Sequence, residues 1–185
     1  MMNETLNAIF DRRSIRSFTA QPLTQDELDT LVEVALASPT GMNAQPWQFQ
    51  FITNQGLIAD LNQAALDHFL ATGNDAVIAR MKARHESIFY GAPLLVVISM
   101  PKDNQDAVDA GIAVANLAIA AQSMGLGSCI IGLASAAFAG EHKAELAARL
   151  DWPEGHRFAI SIVIGHAAMT KEAHDRRPEK VRVIG

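Results

Sequence analysis

The chain has one cysteine and one tyrosine among 185 residues, and aromatic side chains make up only 6% of it. The lone thiol, Cys129, excludes an internal disulfide framework and suits a reducing compartment. Long apolar runs are missing too. The longest, Ala110 to Ala121, is interrupted by Asn116 and falls short of the ~20 residues that cross a bilayer. The stretch from Met1 to Arg12 is polar and lacks the roughly 7–15-residue apolar centre of a secretion signal. A formal net charge of −5, with no basic stripe large enough to dominate it, argues against general nucleic-acid binding. The expected setting is the cytoplasm, with neither a membrane nor a nucleic acid as partner.

Several catalytic signatures are absent as well. His68, His85, His142, His156, His166 and His174 form no pair at metal-ligand spacing, so no metal site is expected. No Gly-x-Ser-x-Gly elbow occurs, and Cys129, inside an apolar run, reads as a core residue rather than a nucleophile. The stretch Gly125-Leu126-Gly127-Ser128-Cys129-Ile130-Ile131-Gly132 is not a Gly-x-Gly-x-x-Gly fingerprint, and no Walker-type Gly-Lys-Ser/Thr is found. A nucleotide-like ligand must therefore be held by other means. No acid–base pair stands out either, which suits a bound cofactor with its own reactive centre.

What is present describes one domain over residues 1–185, 49% hydrophobic and 19% charged, long enough to bury its own core. Leu6, Ile9 and Phe10 predict a short amphipathic helix. Thr24-Gln25-Asp26-Glu27 is a capping box, and Leu28, Leu31, Val32, Ala35 and Leu36 behind it follow one helix face. Ser38-Pro39 ends that helix. Trp47, Phe49 and Phe51 alternate with glutamines as in a strand with one buried face. Leu57, Ile58, Leu61, Ala65, Phe69 and Leu70 mark a helix, and a more polar one is expected from Asp75 to about Phe89. Gly91-Ala92-Pro93 precedes a buried strand over Leu94 to Ser99. Asp106 to Met124 predicts an alanine-rich helix, apolar nearly all round and therefore central. A short strand over Ser128 to Ile131, a helix over Gly140 to Leu150, a strand over Arg157 to Gly165 and a β-like end at Val181 to Ile184 complete the chain. The fold class is α+β, with a mixed sheet packed between helices.

Two segments have the composition of a ligand site. Arg12, Arg13, Ser14 and Arg16 follow the first helix closely enough to hold a phosphate by charge-assisted hydrogen bonds, although a solvated basic patch has the same composition. The loop from Pro39 to Trp47 offers Thr40, Asn43 and Gln45 as hydrogen-bonding groups on a backbone stiffened by proline and freed at Gly41. An ordinary helix-to-strand connection would look alike. The glycine-flanked strand ending at Ile131 and Gly132 is open to two readings: a backbone that approaches a ligand, or a buried strand after a helix cap. Arg176-Arg177 adds a second basic point, solvated by default.

In this order, the segments resemble the nitroreductase family of FMN-dependent oxidoreductases. The matching residues are Arg12-Arg13-Ser14-Ile15-Arg16-Ser17-Phe18, Ala37 to Trp47, Gly91-Ala92-Pro93, Ser123 to Ser128, Ile131-Gly132 and Gly165-His166. The Arg-Arg-Ser-x-Arg opening and the Asn-x-Gln-Pro-Trp segment are jointly the most specific. The resemblance implies a sandwich whose central, mostly antiparallel sheet is flanked by helices, and a homodimer with FMN at the subunit interface. It also implies a C-terminal strand that reaches the partner.

By the same resemblance, Arg12 and Ser14 bind the ribityl phosphate with Arg13 beside them, and Arg16 faces the pyrimidine edge of the flavin. Pro39, Thr40, Gly41, Asn43 and Gln45 come from the other subunit, Ile131 and Gly132 border the ring near N5, and Arg176 and Arg177 close over the phosphate. The implied enzyme is an NAD(P)H oxidoreductase that reduces nitroaromatics, quinones or related small acceptors. Its ping-pong cycle passes a hydride from NADH or NADPH to N5 before the acceptor takes the donor's place. The same scaffold also serves enone reduction, dehalogenation, flavin breakdown or flavin binding without turnover. Phe69, Met81, His85, Phe89 and Tyr90 are expected to cover the substrate. Asn74 and Lys82 are candidates for further contacts at the flavin edge.

Overall fold

The computed structural model describes residues 2–82, 87–104 and 107–185. Lys82 is described through its backbone alone, and His85 and Asp106, named above, lie outside the described residues. Helix α1 spans Glu4–Asp11 and α2 spans Gln25–Leu36. The capping box forms as the sequence predicts: the Glu27 N–H donates to Thr24 Oγ1, and the Thr24 N–H donates to Glu27 Oε2 at 2.7 Å. Strand β1 spans Gln48–Ile52, α3 spans Gln55–Ala71 and α4 spans Asp75–Lys82. Then come β2, Leu94–Pro101, α5, Val108–Ser123, β3, Gly127–Ile131, α6, Lys143–Arg149, and β4, His156–Gly165.

Four strands pair in the order β1-β2-β4-β3, every pair antiparallel, so the mixed sheet expected from the residues is corrected. The central pair β2–β4 is buried on both faces, which explains its nearly continuous Leu, Val and Ile. One face carries Leu95, Val97, Cys129, Ile131 and Val163 against α3, the 3-10 segment Leu133–Phe138 and α6. The other carries Leu94, Val96, Ile98, Ile162 and Ile164 against α2 and α5. Helix α5 places Ala110, Ala113, Leu117, Ala118 and Ala121 on the sheet, where small side chains permit close approach. Its expected central position holds on that face alone. Gly111 and Ala115 on the outer side are exposed, and Ile112 and Ile119 are only half-buried.

Three further expectations shift. The polar helix expected to reach Phe89 is α4, described over Asp75–Lys82, and the chain is no longer helical at Ser87 to Phe89. Ser87 to Tyr90 form bends and a turn, fixed by the Phe89 N–H on Ser87 Oγ and the Ile88 N–H on Asn62 Oδ1. A side-chain acceptor supplied locally thus replaces the helical carbonyl. In α1 the buried residue is Ala8, while Ile9 and Phe10 are 43% and 38% exposed. The tail pairs with no strand of its own chain, and Val183 and Ile184 are more than nine-tenths exposed.

The Gly91-Ala92-Pro93 motif acquires a steric reason. A Cβ on Gly165 would lie 2.5 Å from Pro93 Cδ and 2.8 Å from its Cγ, so the end of β4 fits under the proline ring only as glycine. Gly165→Ala is expected to destabilise the protein by ~1–3 kcal/mol through overpacking. This would be read as a lower urea midpoint at unchanged slope. An unchanged midpoint would show that Pro93 can yield.

Candidate functional site

The arginine segment leaves α1 at Arg12, whose N–H still donates to the Ala8 carbonyl, and runs onto the outer edge of the sheet. Ser14 forms a parallel bridge to Ser128 of β3, and the Ile15 N–H donates to the Ser128 carbonyl at 2.9 Å. Phe18 bridges Ala167 just after β4, with the Thr19 N–H on the His166 carbonyl and the Ala168 N–H on the Ser17 carbonyl. Backbone pairing on both sides therefore pins the segment. Gly127 makes the approach possible, because a Cβ there would meet Ile15 and Ala167 at 3.1 Å.

Arg12, Arg13, Ser14 and Arg16 are all half-buried on this edge. The Arg13 guanidinium donates to the carbonyls of Phe10, at 2.7 Å, and Arg12, at 3.0 Å, while its Nε is buried without a partner. Arg16 donates to the Ser14 carbonyl at 3.4 Å, and its N–H meets Met169 Sδ. The tail returns along the same edge, with the Arg176 guanidinium 4.9 Å over the Phe10 ring. Among the described residues no carboxylate pairs with Arg12, Arg13, Arg16 or Arg176. The Arg177 side chain hydrogen-bonds to nothing described; only its carbonyl is engaged, by the Lys180 N–H.

Two residues of this edge escaped the sequence reading as site residues. Cys129 is buried beneath the segment, where burial pushes its thiol above the ordinary range. The charges of Arg16, Lys171 and Arg12 and a hydrogen bond with Ser14 oppose that shift. The thiol therefore marks a point that three cations approach. Lys171, five residues before Arg176, was hidden in a tail read only through its Arg-Arg pair.

The second segment stands elsewhere. A 3-10 turn at Gly41–Asn43 leads to three non-glycine residues in the left-handed region, Met42 (φ 52°), Asn43 (φ 55°) and Gln45 (φ 45°). The Gln45 N–H donates to Thr40 Oγ1 at 3.0 Å, Gln45 Nε2 to Asn43 Oδ1 at 3.0 Å and the Gly41 N–H to Asp109 Oδ1 at 3.2 Å. Thr40 is half-buried, whereas Pro39, Gly41, Asn43 and Gln45 are exposed and Met42 is fully so. Strain of order 1 kcal/mol per such residue persists where the surroundings hold the backbone, and it concentrates at functional sites.

The chain does not bring these two segments together. The loop enters β1 at Gln48, opposite Ser99 of β2, while Ser128 lies in the row of Ile164 and Leu94. That is three strand spacings across, ~14 Å, and five residues along, ~17 Å. They occupy diagonal corners of the sheet.

The remaining expected residues divide. Ile131 is buried at the end of β3, while Gly132 is exposed with open space where a Cβ would stand. Phe69, Met81 and Phe89 are 7%, 4% and 1% exposed within the core. Their own chain seals them, so they serve as core side chains rather than an exposed cover. Tyr90 is half-buried at φ 58°. Asn74 accepts the Val77 N–H at the start of α4, a capping role. No group of side chains among the described residues could hold a metal, and no described helix is long and apolar enough to cross a membrane.

The model of the nitroreductase family matches residues 9–166. The chain belongs to the nitroreductase family. It is 33% identical to an FMN reductase [NAD(P)H] of Bacillus subtilis, over 97% of this chain and 72% of that one. It is 34% identical to an FMN reductase (NADPH) of the same organism, over 71% of this chain but only 55% of that relative's length. Among solved structures, a nitroreductase with bound FMN from Desulfitobacterium hafniense superposes with a TM-score of 0.96 at 32% identity, each chain covered in full. The nitroreductase fold and the antiparallel sheet expected from the resemblance are thereby established.

In the native FMN-free protein, Cys129 should react with an aromatic disulfide reagent at least ~10-fold more slowly than in urea at the same mildly alkaline pH. A raised pKa leaves less thiolate, and burial blocks approach. Equal rates would contradict the placement of Cys129 beneath the arginine segment.

Proposed function

We propose that the protein is an FMN-dependent oxidoreductase acting as a homodimer, with NADH or NADPH as donor and a nitroaromatic, quinone or similar small molecule as acceptor. One observation carries the reading. The β3 edge gathers Arg12, Arg13 and Arg16 with no carboxylate paired to them among the described residues, and leaves Arg13 Nε buried and unpartnered. An anion seated on this edge relieves both the charge repulsion and the missing hydrogen bond.

Bound flavin supplies the redox chemistry, taking two electrons from a donor and giving them to an acceptor. The protein's residues bind and orient. Arg12 and Ser14 would take the phosphate, with Arg13 fixing the segment through the Phe10 carbonyl. Arg16, half-buried on the same edge, would set a fixed cation beside the pyrimidine end, where it favours added negative charge. Ile131 closes the sheet beneath the ring, and the bare backbone of Gly132 leaves room for its approach. Arg176 and Lys171 on the returning tail would add cationic cover from outside.

A second copy of the chain completes the site in this reading. Thr40, Asn43 and Gln45 sit too far from their own arginines to serve the same ligand, so the partner's loop takes their place. Three features support dimerisation. The outer face of α5 leaves Ala115 exposed and Ile112 and Ile119 only half-buried. A 490 Å³ cavity between α2 and β1 is walled by Leu36, Trp47, Phe49 and Phe51. The tail leaves Val181, Val183 and Ile184 without packing. Apolar side chains left in water in this way are the kind that a partner surface covers.

The purified protein should be yellow and bleach under NAD(P)H without oxygen; colourless protein that gains no absorbance with added FMN would sink the reading. Arg12→Ala should weaken FMN binding ~10–100-fold through the loss of one charge-assisted contact. The names of the relatives make free FMN a third acceptor to assay.

The composite site has a sharper test. Arg12→Ala and Asn43→Ala proteins, each impaired, should recover activity when unfolded and refolded together, because a mixed dimer holds one intact pair of wild-type Arg12 and wild-type Asn43. No recovery beyond the sum of the two would place both residues in one chain's site.

A further inference from the structure

We propose that a second cavity, beside the start of β4, binds a planar aromatic ligand that carries a phosphate or carboxylate. The cavity measures 470 Å³, within the roughly 300–1,000 Å³ of small-molecule sites. Its lining combines a wall of aromatic rings with Lys102, Lys143 and Arg157, and none of the described residues that line it is acidic. In a chain of net charge −5, three cations around one cavity with no described carboxylate among its lining depart from the overall charge.

Both halves of the site are built in advance. Phe138 stacks on Trp152 with centroids 4.4 Å apart at 28°, and on Phe158 at 5.6 Å and 19°. The Trp152 indole N–H donates to Gln50 Oε1 at 2.9 Å, which locks the ring in place. All three rings are half-buried, so they rest on the core and still present surface to the cavity. Such faces stack on a flat ring with little loss of side-chain freedom.

The Arg157 guanidinium is held as firmly. It donates to the Asn104 carbonyl at 2.8 Å and the Phe158 carbonyl at 3.3 Å, which orient it without neutralising it. Lys102 and Lys143 likewise have no carboxylate partner among the described residues. Arg149 shows the contrasting arrangement in a 240 Å³ cavity between α3 and α6. There Asp60 at 2.7 Å and Glu145 at 3.7 Å pair with it, and nothing is left for a ligand.

The cavity shares no residue with the arginine edge or the Pro39–Gln45 loop. It opens where β2 ends and β4 begins, far along the sheet from the Ser14–Ser128 bridge. It therefore offers an anion site separate from the one assigned to the flavin phosphate, and the proposal survives even if that assignment fails. Two sources share the required chemistry: a nucleotide, with base on the rings and phosphate on the cations, or an aromatic acid.

The test titrates the protein as purified, with any flavin it carries, using adenosine 5′-monophosphate, 4-hydroxybenzoate and uncharged benzamide, with tryptophan fluorescence as readout. At least one anionic probe should quench saturably, and benzamide should not. The quenching should persist in Trp47→Phe, leaving Trp152 as the reporter. Lys102→Glu with Lys143→Glu, both on exposed side chains, should weaken that binding at least tenfold and leave FMN content unchanged. Adenosine monophosphate binding alone would identify a nucleotide site, and 4-hydroxybenzoate alone an aromatic-acid site. Quenching by neither anion, equal quenching by benzamide, or affinity unchanged by the charge reversal would overturn the proposal.

Discussion

Cations held together on one surface repel each other, and a protein keeps them so only when something rigid fixes them. Here the fixing element is backbone. Residues 14–19 pair with β3 on one side and with the chain after β4 on the other, so Arg12, Arg13 and Arg16 cannot drift apart. Gly127 permits this pairing by its lack of a side chain, and Gly165 lets β4 end beneath Pro93, where the chain turns toward His166 and the tail. The charge on this edge is therefore stored by the sheet itself. An anion brought to it finds donors already oriented and pays little in ordering entropy.

The same constraint underlies the proposal that two copies complete the site. Sheet geometry sends the arginine edge and the strained loop to opposite corners, and α5 maintains the separation. Its first turn holds Gly41 through Asp109, while its last leads directly into β3. A helix of 16 residues, ~24 Å long, thus acts as a strut between them. In the proposed dimer, a two-fold pairing along such struts would cover the outer face of α5 and exchange the corners.

Much of this was legible in the sequence. The capping box of α2 and the alternating or continuous apolar patterns of the strands are local codes, and each formed close to its expected place. The arginine segment and the Pro39–Gln45 loop were visible as compositions, though either was also compatible with an ordinary surface. What stayed hidden depends on three-dimensional neighbours. The non-helical backbone at Ile88 was hidden because Asn62, more than twenty residues away, supplies its N–H with an acceptor. Phe69, Met81 and Phe89 have the chemistry of a substrate cover, but their depth follows from how α3 and α4 pack. Lys171 and the cationic surroundings of Cys129 belong to a tail with no periodicity to announce its course. The aromatic wall joins Phe138, Trp152 and Phe158 from three separate elements, and no spacing rule connects them.

A flavin site of this kind also accounts for the lack of a dinucleotide fingerprint. That motif uses a helix N-terminus to hold a pyrophosphate, and it is needed when the protein must bind the whole dinucleotide firmly. An edge of side-chain cations binds a single terminal phosphate instead, leaving the far end of the ligand free of the anchor. In the proposed site the ring would lie toward Gly132, at the end of β3 remote from the Ser14 bridge, where the backbone is open. Anchoring and chemistry would then be separated by the length of one strand. In that arrangement, changes in the partner's loop would alter what approaches the ring while the grip of Arg12 and Ser14 on the phosphate stays unchanged.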